Sequence, residues 1–248
     1  MGMKVGLIKQ PAGIGDIFFT QKIAKKLLST NRCNKIIWPV SKQYDYIGQY
    51  VIDKDIEFVC EDEQFEYKEI YNSPINTLYE TEELLYIPLQ HADQTTFLPD
   101  SRAHGHIKYK FCNLSYSDWK EYFNIRRNLD RENKLIDNLH IDITKKYNLI
   151  NSNYGTYPGF KTKKDIQPTN NYKNVYMKFI KDVHLFDWLK IAENAQEIHT
   201  METSVCFLLE KINLTNVFVY SKYTTENSKK DDFGYIKENY SKDWNFVR

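Results

Sequence analysis

The segment from Lys4 to Leu28 constrains this chain more than any other. Val5–Ile8 is a short apolar run of the kind that forms a buried strand. Pro11, Gly13 and Gly15 then punctuate a tight loop. Beyond it Ile17, Phe18, Ile23, Ala24, Leu27 and Leu28 recur at helical spacing. The order is strand, glycine loop, helix, with one carboxylate, Asp16, at the helix entrance.

Asp16 has two readings. Aspartate is a preferred N-cap and suits the positive end of the helix dipole. The same position, past the carboxyl end of a parallel strand, is where open α/β sheets bind ligands, so the carboxylate could equally be a catalytic base. Gly13 and Gly15 add that backbone can approach a ligand closely here, which a cap alone does not require. Two familiar phosphate loops are excluded. Gly15-Asp16-Ile17 lacks the Gly-Lys-Ser/Thr of a Walker loop, and Gly13-Ile14-Gly15 is followed by Phe18 where a dinucleotide fingerprint needs a third glycine.

The rest of the chain repeats the alternation. Lys35–Val40, Ile56–Val59 and Leu84–Leu89 read as strands, Ser41 as the cap of a helix from Lys42 to Val51, and Asn31–Asn34 as the stop of the first helix. Residues 90–110 read as a long polar loop with His104 and His106, either a solvated connection or the wall of a ligand pocket. Tyr116–Phe123 opens a helical region that runs to Leu135-Ile136. Its Arg126 and Arg127 either pair with neighbours such as Asp130 and Glu132 or grip an anionic group bidentately. Lys145–Ile150 restarts the pattern, with a polar turn at Asn151, Ser152 and Asn153. Asn174–Lys178 is a strand, Phe186–Ala195 a helix, and Gln196–Ser204 a short strand running into the cap of a helix from Val205 to Ile212. That helix's free N–H groups make an anion site beside Glu202, Thr203 and Ser204. Thr203 or Ser204 as a plain cap, and His199 as a satisfied core histidine, are the alternatives. Val217–Tyr220 is a further strand, and the aromatic tail, residues 226–248, reads as a helix packed on the body. Strands alternating with helices imply mostly parallel sheets.

Composition narrows the class. A 42% hydrophobic, 27% charged chain of 248 residues is an ordinary globular one, large enough for one large domain or two small ones. A net charge of +1 argues for neither a nucleic-acid nor a membrane partner, and no apolar run reaches the length of a transmembrane segment. Cys33, Cys60, Cys112 and Cys206 are scattered, which fits thiols in a reducing compartment and a cytoplasmic location. Asp53-Lys54-Asp55 precedes a strand and reads as a solvated turn, not a metal site.

The opening loop, with Gly15-Asp16 between strand and helix, resembles that of GT-B glycosyltransferases, most closely the lipopolysaccharide heptosyltransferase-like group. The resemblance implies an α/β fold of two Rossmann-like domains facing a cleft: an acceptor-binding domain at 1–140, a nucleotide-sugar domain at 141–225 and a tail at 226–248. It implies an inverting, metal-independent transfer from a nucleotide-sugar donor to a glycan or glycolipid acceptor, with no cofactor and Asp16 as general base. Gly13, Gly15, Asn151, Ser152, Asn153, Lys178, His199, Glu202, Thr203 and Ser204 would then meet the donor, and His104, His106, Arg126 and Arg127 the acceptor. The chain departs from the family pattern near 204: Glu202 stands for aspartate, no glycine follows, and Cys206-Phe207-Leu208 occupies the place of a histidine. The departure leaves a second expectation, a catalytically inactive GT-B-like protein that binds a glycan or a partner.

Overall fold

The structure is a computed structural model that describes residues 3–92, 104–152, 166–220, 240 and 243–247. Its contacts divide the chain into two compact units, Met1–Arg126 and Arg127–Arg248.

The first unit is built on strands β1 (Val5–Ile8), β2 (Lys35–Val40), β3 (Ile56–Cys60), β4 (Tyr79–Glu80) and β5 (Leu84–Ile87). They lie in the order β3-β2-β1-β5-β4, parallel except for β4, which runs against β5. β1 and β5 are buried along their whole length, the signature of central parallel strands covered on both faces. On one face Val5, Leu7, Ile37, Leu84 and Tyr86 pack with Tyr71 from helix α3 (Lys68–Tyr71). Further α-helices among the described residues of this unit are α1 (Ile14–Phe19), α2 (Gln21–Ser29) and α4 (His104–Phe111). Ile17, Phe18, Ile23 and Ala24 of α1 and α2 are fully buried, and Phe18 stacks on Phe123 with centroids 4.6 Å apart.

The second unit carries an all-parallel sheet of β6 (Tyr147–Asn151), β7 (Lys173–Tyr176), β8 (Glu197–Met201), β9 (Val217–Tyr220) and β10 (Asn245–Val247), in the order β10-β9-β8-β6-β7. Tyr147, Leu149, Val175, Ile198, Val217 and Val219 present one face to helices α5 (Leu129–Asn138), α6 (Leu189–Asn194) and α7 (Ser204–Lys211). The α/β class and the two Rossmann-like parallel sheets are thus those expected from the alternation of elements.

Several expectations are corrected. Helix α5, assigned to the first domain by a boundary at 140, belongs to the second unit, because Leu135 and Ile136 complete that unit's core. Between Trp119 and Asn138 the chain forms a 3-10 turn (Trp119–Tyr122) and then α5, not one helical run. Lys42–Gln49 is a 3-10 helix, and the Ser41 hydroxyl donates to Glu61 Oε1 at 2.6 Å instead of capping it. The long loop of 90–110 is interrupted by a 3-10 turn (Leu89–His91) and by α4. In the tail, residues 245–247 form a strand, not a helix. Tyr240 and Trp244 are buried in the second unit's core, with Trp244 Nε1 donating to Leu214 O at 2.8 Å.

Candidate functional site

In each sheet the chain adds strands first on one side of the sheet's first strand in sequence and then on the other, which creates a topological switch point at the carboxyl edge. In the first unit it lies between β1 and β5. The chain leaving β1 enters the Gly13 loop and α1; the chain leaving β5 leads on to α4. These two exits meet through side chains. Tyr109 of α4 is 1% exposed, its hydroxyl donates to Phe19 O at the end of α1, and its ring meets Phe19 edge-on at 5.0 Å. Burial raises the Tyr109 phenol well above its ordinary range, so it stays a donor.

With Tyr109 so placed, its neighbour Lys108 turns toward α1, and Lys108 Nζ sits 3.0 Å from Asp16 Oδ1. The exposures differ sharply: the Lys108 side chain is 8% exposed and that of Asp16 39%. Asp16 is not the N-cap. Gly13 holds that position at φ +78°, and Asp16 is the third residue of α1, in its acidic first turn. Its carboxylate folds back over Gly13. A Cβ there would lie 2.7 Å from Asp16 Oδ2, and the left-handed backbone would be strained for any L side chain. Gly13 is therefore glycine for two reasons, backbone and carboxylate. Gly15, half-buried, lies within the first turn of α1. Lys9, just past β1, donates to Tyr71 O at 2.6 Å and lies over the Tyr71 ring, and burial lowers its pKa against the opposing charge of Glu61.

The acceptor residues expected from sequence have these surroundings. His104 is the first residue of α4. His106 is half-buried and stacks on Tyr116 at 3.7 Å. Arg126 is exposed, with its backbone N–H on Tyr50 O at 2.6 Å. Arg127 belongs to the other unit and pairs with two carboxylates there. Nε and Nη2 bind Glu132, and Nη1 reaches Glu193 Oε1 at 2.5 Å; these carboxylates hold its guanidinium well above its ordinary pKa, against burial. Pairing within the protein is the outcome here because Glu132 is 1% exposed and requires a partner.

In the second unit the switch point lies between β6 and β8. Asn151, the last residue of β6, donates through Nδ2 to Thr200 Oγ1 at 3.0 Å and Thr203 Oγ1 at 3.5 Å. Thr203 is the N-cap of α7, accepting from Val205 N at 3.4 Å. Asn151, Thr203 and Ser204, the first residue of α7, are therefore brought to one edge, with Ser152 and Glu202 half-buried beside them. Lys178 lies exposed beyond the edge strand β7. Asn153 lies outside the described residues. His199 does not point to this edge as a ligand group. It is fully buried, with Nε2 2.8 Å from Glu197 Oε2, Nδ1 2.9 Å from Tyr220 OH, and its ring stacked on Phe218 at 4.5 Å. A carboxylate can only accept, so Nε2 donates to it, and in the neutral imidazole Nδ1 then accepts from the tyrosine hydroxyl.

Among the described residues no group of three or more His, Cys, Asp or Glu side chains is placed to hold a metal ion. Asp53, of the Asp53-Lys54-Asp55 run, instead accepts from its own Asp55 N–H at 3.1 Å and faces Lys25 at 3.6 Å.

Sequence reasoning missed Lys108. It sits in what read as a polar loop, between Ile107 and Tyr109, with no periodicity to mark a helix. Only the meeting of the β1 and β5 exits reveals it.

The fold is that of glycosyltransferases of the GT-B-like class. Two solved structures share it: a family 9 glycosyl transferase from Veillonella parvula, and TibC, described as an iron-containing dodecameric glycosyltransferase from enterotoxigenic E. coli. The first is 8% identical with a TM-score of 0.53, covering 92% of this chain and 83% of that one. The second is 12% identical with a TM-score of 0.53, covering 92% of this chain and 63% of that one. No protein-family model and no curated protein matches the chain. At such identities the likeness carries the fold, and the chemistry has to be argued from the residues.

Proposed function

We propose that the chain is an inverting glycosyltransferase that moves a sugar from a nucleotide-sugar donor to a hydroxyl of a glycan or glycolipid acceptor, with Asp16 as general base. The observation that carries this reading is the half-exposed Asp16 carboxylate at the switch point of the first sheet, tethered by one oxygen to a buried lysine. In the reaction the acceptor hydroxyl gives its proton to Asp16 as its oxygen bonds to the anomeric carbon. The bond from that carbon to the donor phosphate breaks, and its electron pair leaves with the nucleoside diphosphate. A positioned base of this kind contributes about 100- to 10,000-fold. The diphosphate is met by the amino end of α7 with Thr203, Ser204 and Ser152, and Lys178 is a candidate counter-charge. No step in this reading uses a metal or cofactor. The cytoplasm is its proposed site of action, a compartment that suits four free thiols.

Two observations favour a second reading. His199 is built into the core, and Glu202 places negative charge beside the end of α7 that should receive a diphosphate. A non-catalytic protein of the same fold, binding glycan or a partner, would show this. Calorimetry with UDP, GDP, ADP and CMP, together with a transfer assay on the matching sugar nucleotides, separates the two. Nucleotide binding with turnover supports the transferase; glycan binding without either supports the alternative.

A further inference from the structure

We infer that Lys108 is a positioning residue for Asp16, holding one carboxylate oxygen so that the other is presented in a fixed direction. The inference rests on the reading of Asp16 as the base.

Burying an ammonium is costly, and a helix position flanked by the buried Ile107 and Tyr109 would be served better, for stability alone, by an apolar side chain. The ammonium has three protons to place. Among the described residues its ion-pair partner is Asp16, at 3.0 Å. The chain contains a comparison for this. Lys22 is equally buried and also meets a half-exposed carboxylate, Asp118, but it donates in addition to Ser115 O at 2.5 Å and lies near the Tyr109 and Tyr122 rings. Lys22 thus ties three segments of the first unit together. Among the described residues Lys108 ties α4 to one carboxylate of α1, and Tyr109 already ties these two helices through Phe19. What Lys108 adds is orientation. It occupies Oδ1, and Oδ2 is directed over Gly13, whose missing side chain leaves the space that the carboxylate fills. Reacting groups misplaced by about 1 Å can cost on the order of 100-fold in rate, so an acid that must meet a hydroxyl needs such a tether.

The test uses the full-length chain and three variants, Lys108→Met, Lys108→Arg and Lys22→Met. Removing the Lys108 charge leaves Asp16 free to be hydrated, since it is 39% exposed. Lys108→Met should therefore melt within about 3 °C of wild type or above it, while Lys22→Met melts lower. Assays with UDP-glucose, UDP-N-acetylglucosamine, GDP-mannose and ADP-glucose, with methyl glycosides as acceptors, should show Lys108→Met lowering kcat about 100-fold with KM little changed. Lys108→Arg should recover at least about tenfold of that loss, because it restores a donor to Oδ1. A crystal structure of Lys108→Met should show the Asp16 carboxylate in more than one rotamer. An Asp16 that keeps its single orientation, or a kcat equal to wild type, overturns the inference while leaving the base reading intact. A large loss of melting temperature in Lys108→Met overturns it in favour of a structural role. If wild type turns over none of the donors, the base reading is the one that suffers, and the rotamer of Asp16 still decides the role of Lys108.

Discussion

Two ion pairs of the second unit and one of the first are built in opposite senses. In the Arg127–Glu132 and Arg131–Asp187 pairs of the second unit the acid is sealed and the base faces water: Glu132 and Asp187 have side chains 1% and 2% exposed, against 27% for Arg127 and 32% for Arg131. In the Lys108–Asp16 pair of the first unit the base is sealed and the acid faces water, 8% for Lys108 against 39% for Asp16. The difference follows from what each pair holds. Arg131 reaches Asp187 through Nε at 3.0 Å and Nη2 at 2.7 Å and Asp182 O at 2.6 Å, while His184 N donates to Asp187 at 2.8 Å. Every strong acceptor there is engaged in docking α5 against the 3-10 turn Leu185–Trp188. Among the described residues Asp16 takes a single ion pair, and it keeps access to solvent. Exposure of the acid is not sufficient by itself, since Lys22–Asp118 has the same sense. The position of Asp16 at a switch point, across from the exit of β5, is what sets it apart.

The contrast can be broken from either side. The largest effect on stability is expected from Arg131→Leu, which strands the buried Asp187 and should cost about 3 kcal/mol in denaturant unfolding. A loss near zero would mean that the sealed pair holds nothing. Glu197→Gln comes next, at about 2 kcal/mol. Burial alone would raise the Glu197 pKa, but hydrogen bonds from Thr169 and His199 outweigh it and bring it from 4.5 to about 2. A carboxyl lowered on folding adds stability that is complete above its unfolded value and lost as pH falls toward its folded one. The wild type should therefore lose this contribution between about pH 4.5 and pH 2, and Glu197→Gln should show a flatter acid limb in that window. Gly13→Ala, in the first unit, should cost about 1–2 kcal/mol from its φ of +78° and should displace the Asp16 carboxylate, lowering transfer about 100-fold. Activity at wild-type level in that variant would show that the carboxylate's orientation does not matter. Smallest is Thr203→Ala, about 1 kcal/mol for the lost cap of α7, read by thermal unfolding.

Much of the fold was legible because its signals are local. Val5–Ile8, Lys35–Val40 and Val217–Tyr220 are apolar runs whose burial on both faces fixes them as strands, and the structure places them at those residues. The tail misled because aromatic content carries no period. Tyr240 and Trp244 are buried as expected, but as the approach to an edge strand that pairs with β9. The arginines at 126 and 127 show the limit for sites: sequence cannot say whether a guanidinium will meet a ligand or Glu132, because the choice depends on which carboxylate folding buries. His199 poses the same problem, its partners Glu197 and Tyr220 lying on its own strand and on the neighbouring one. Asp16 could be singled out because Gly13 and Gly15 precede it. Lys108, brought from the far side of the sheet's first strand, could not.

The central claim is that Asp16 takes the acceptor's proton, and Asp16→Asn tests it most directly, since the amide can still accept a hydrogen bond from Lys108 but cannot serve as a base. Transfer from whichever sugar nucleotide the wild type uses should fall about 100- to 10,000-fold, with nucleotide binding by calorimetry and the melting temperature close to wild type. Transfer that persists at the wild-type rate, or that is lost only in step with folding, would contradict the account.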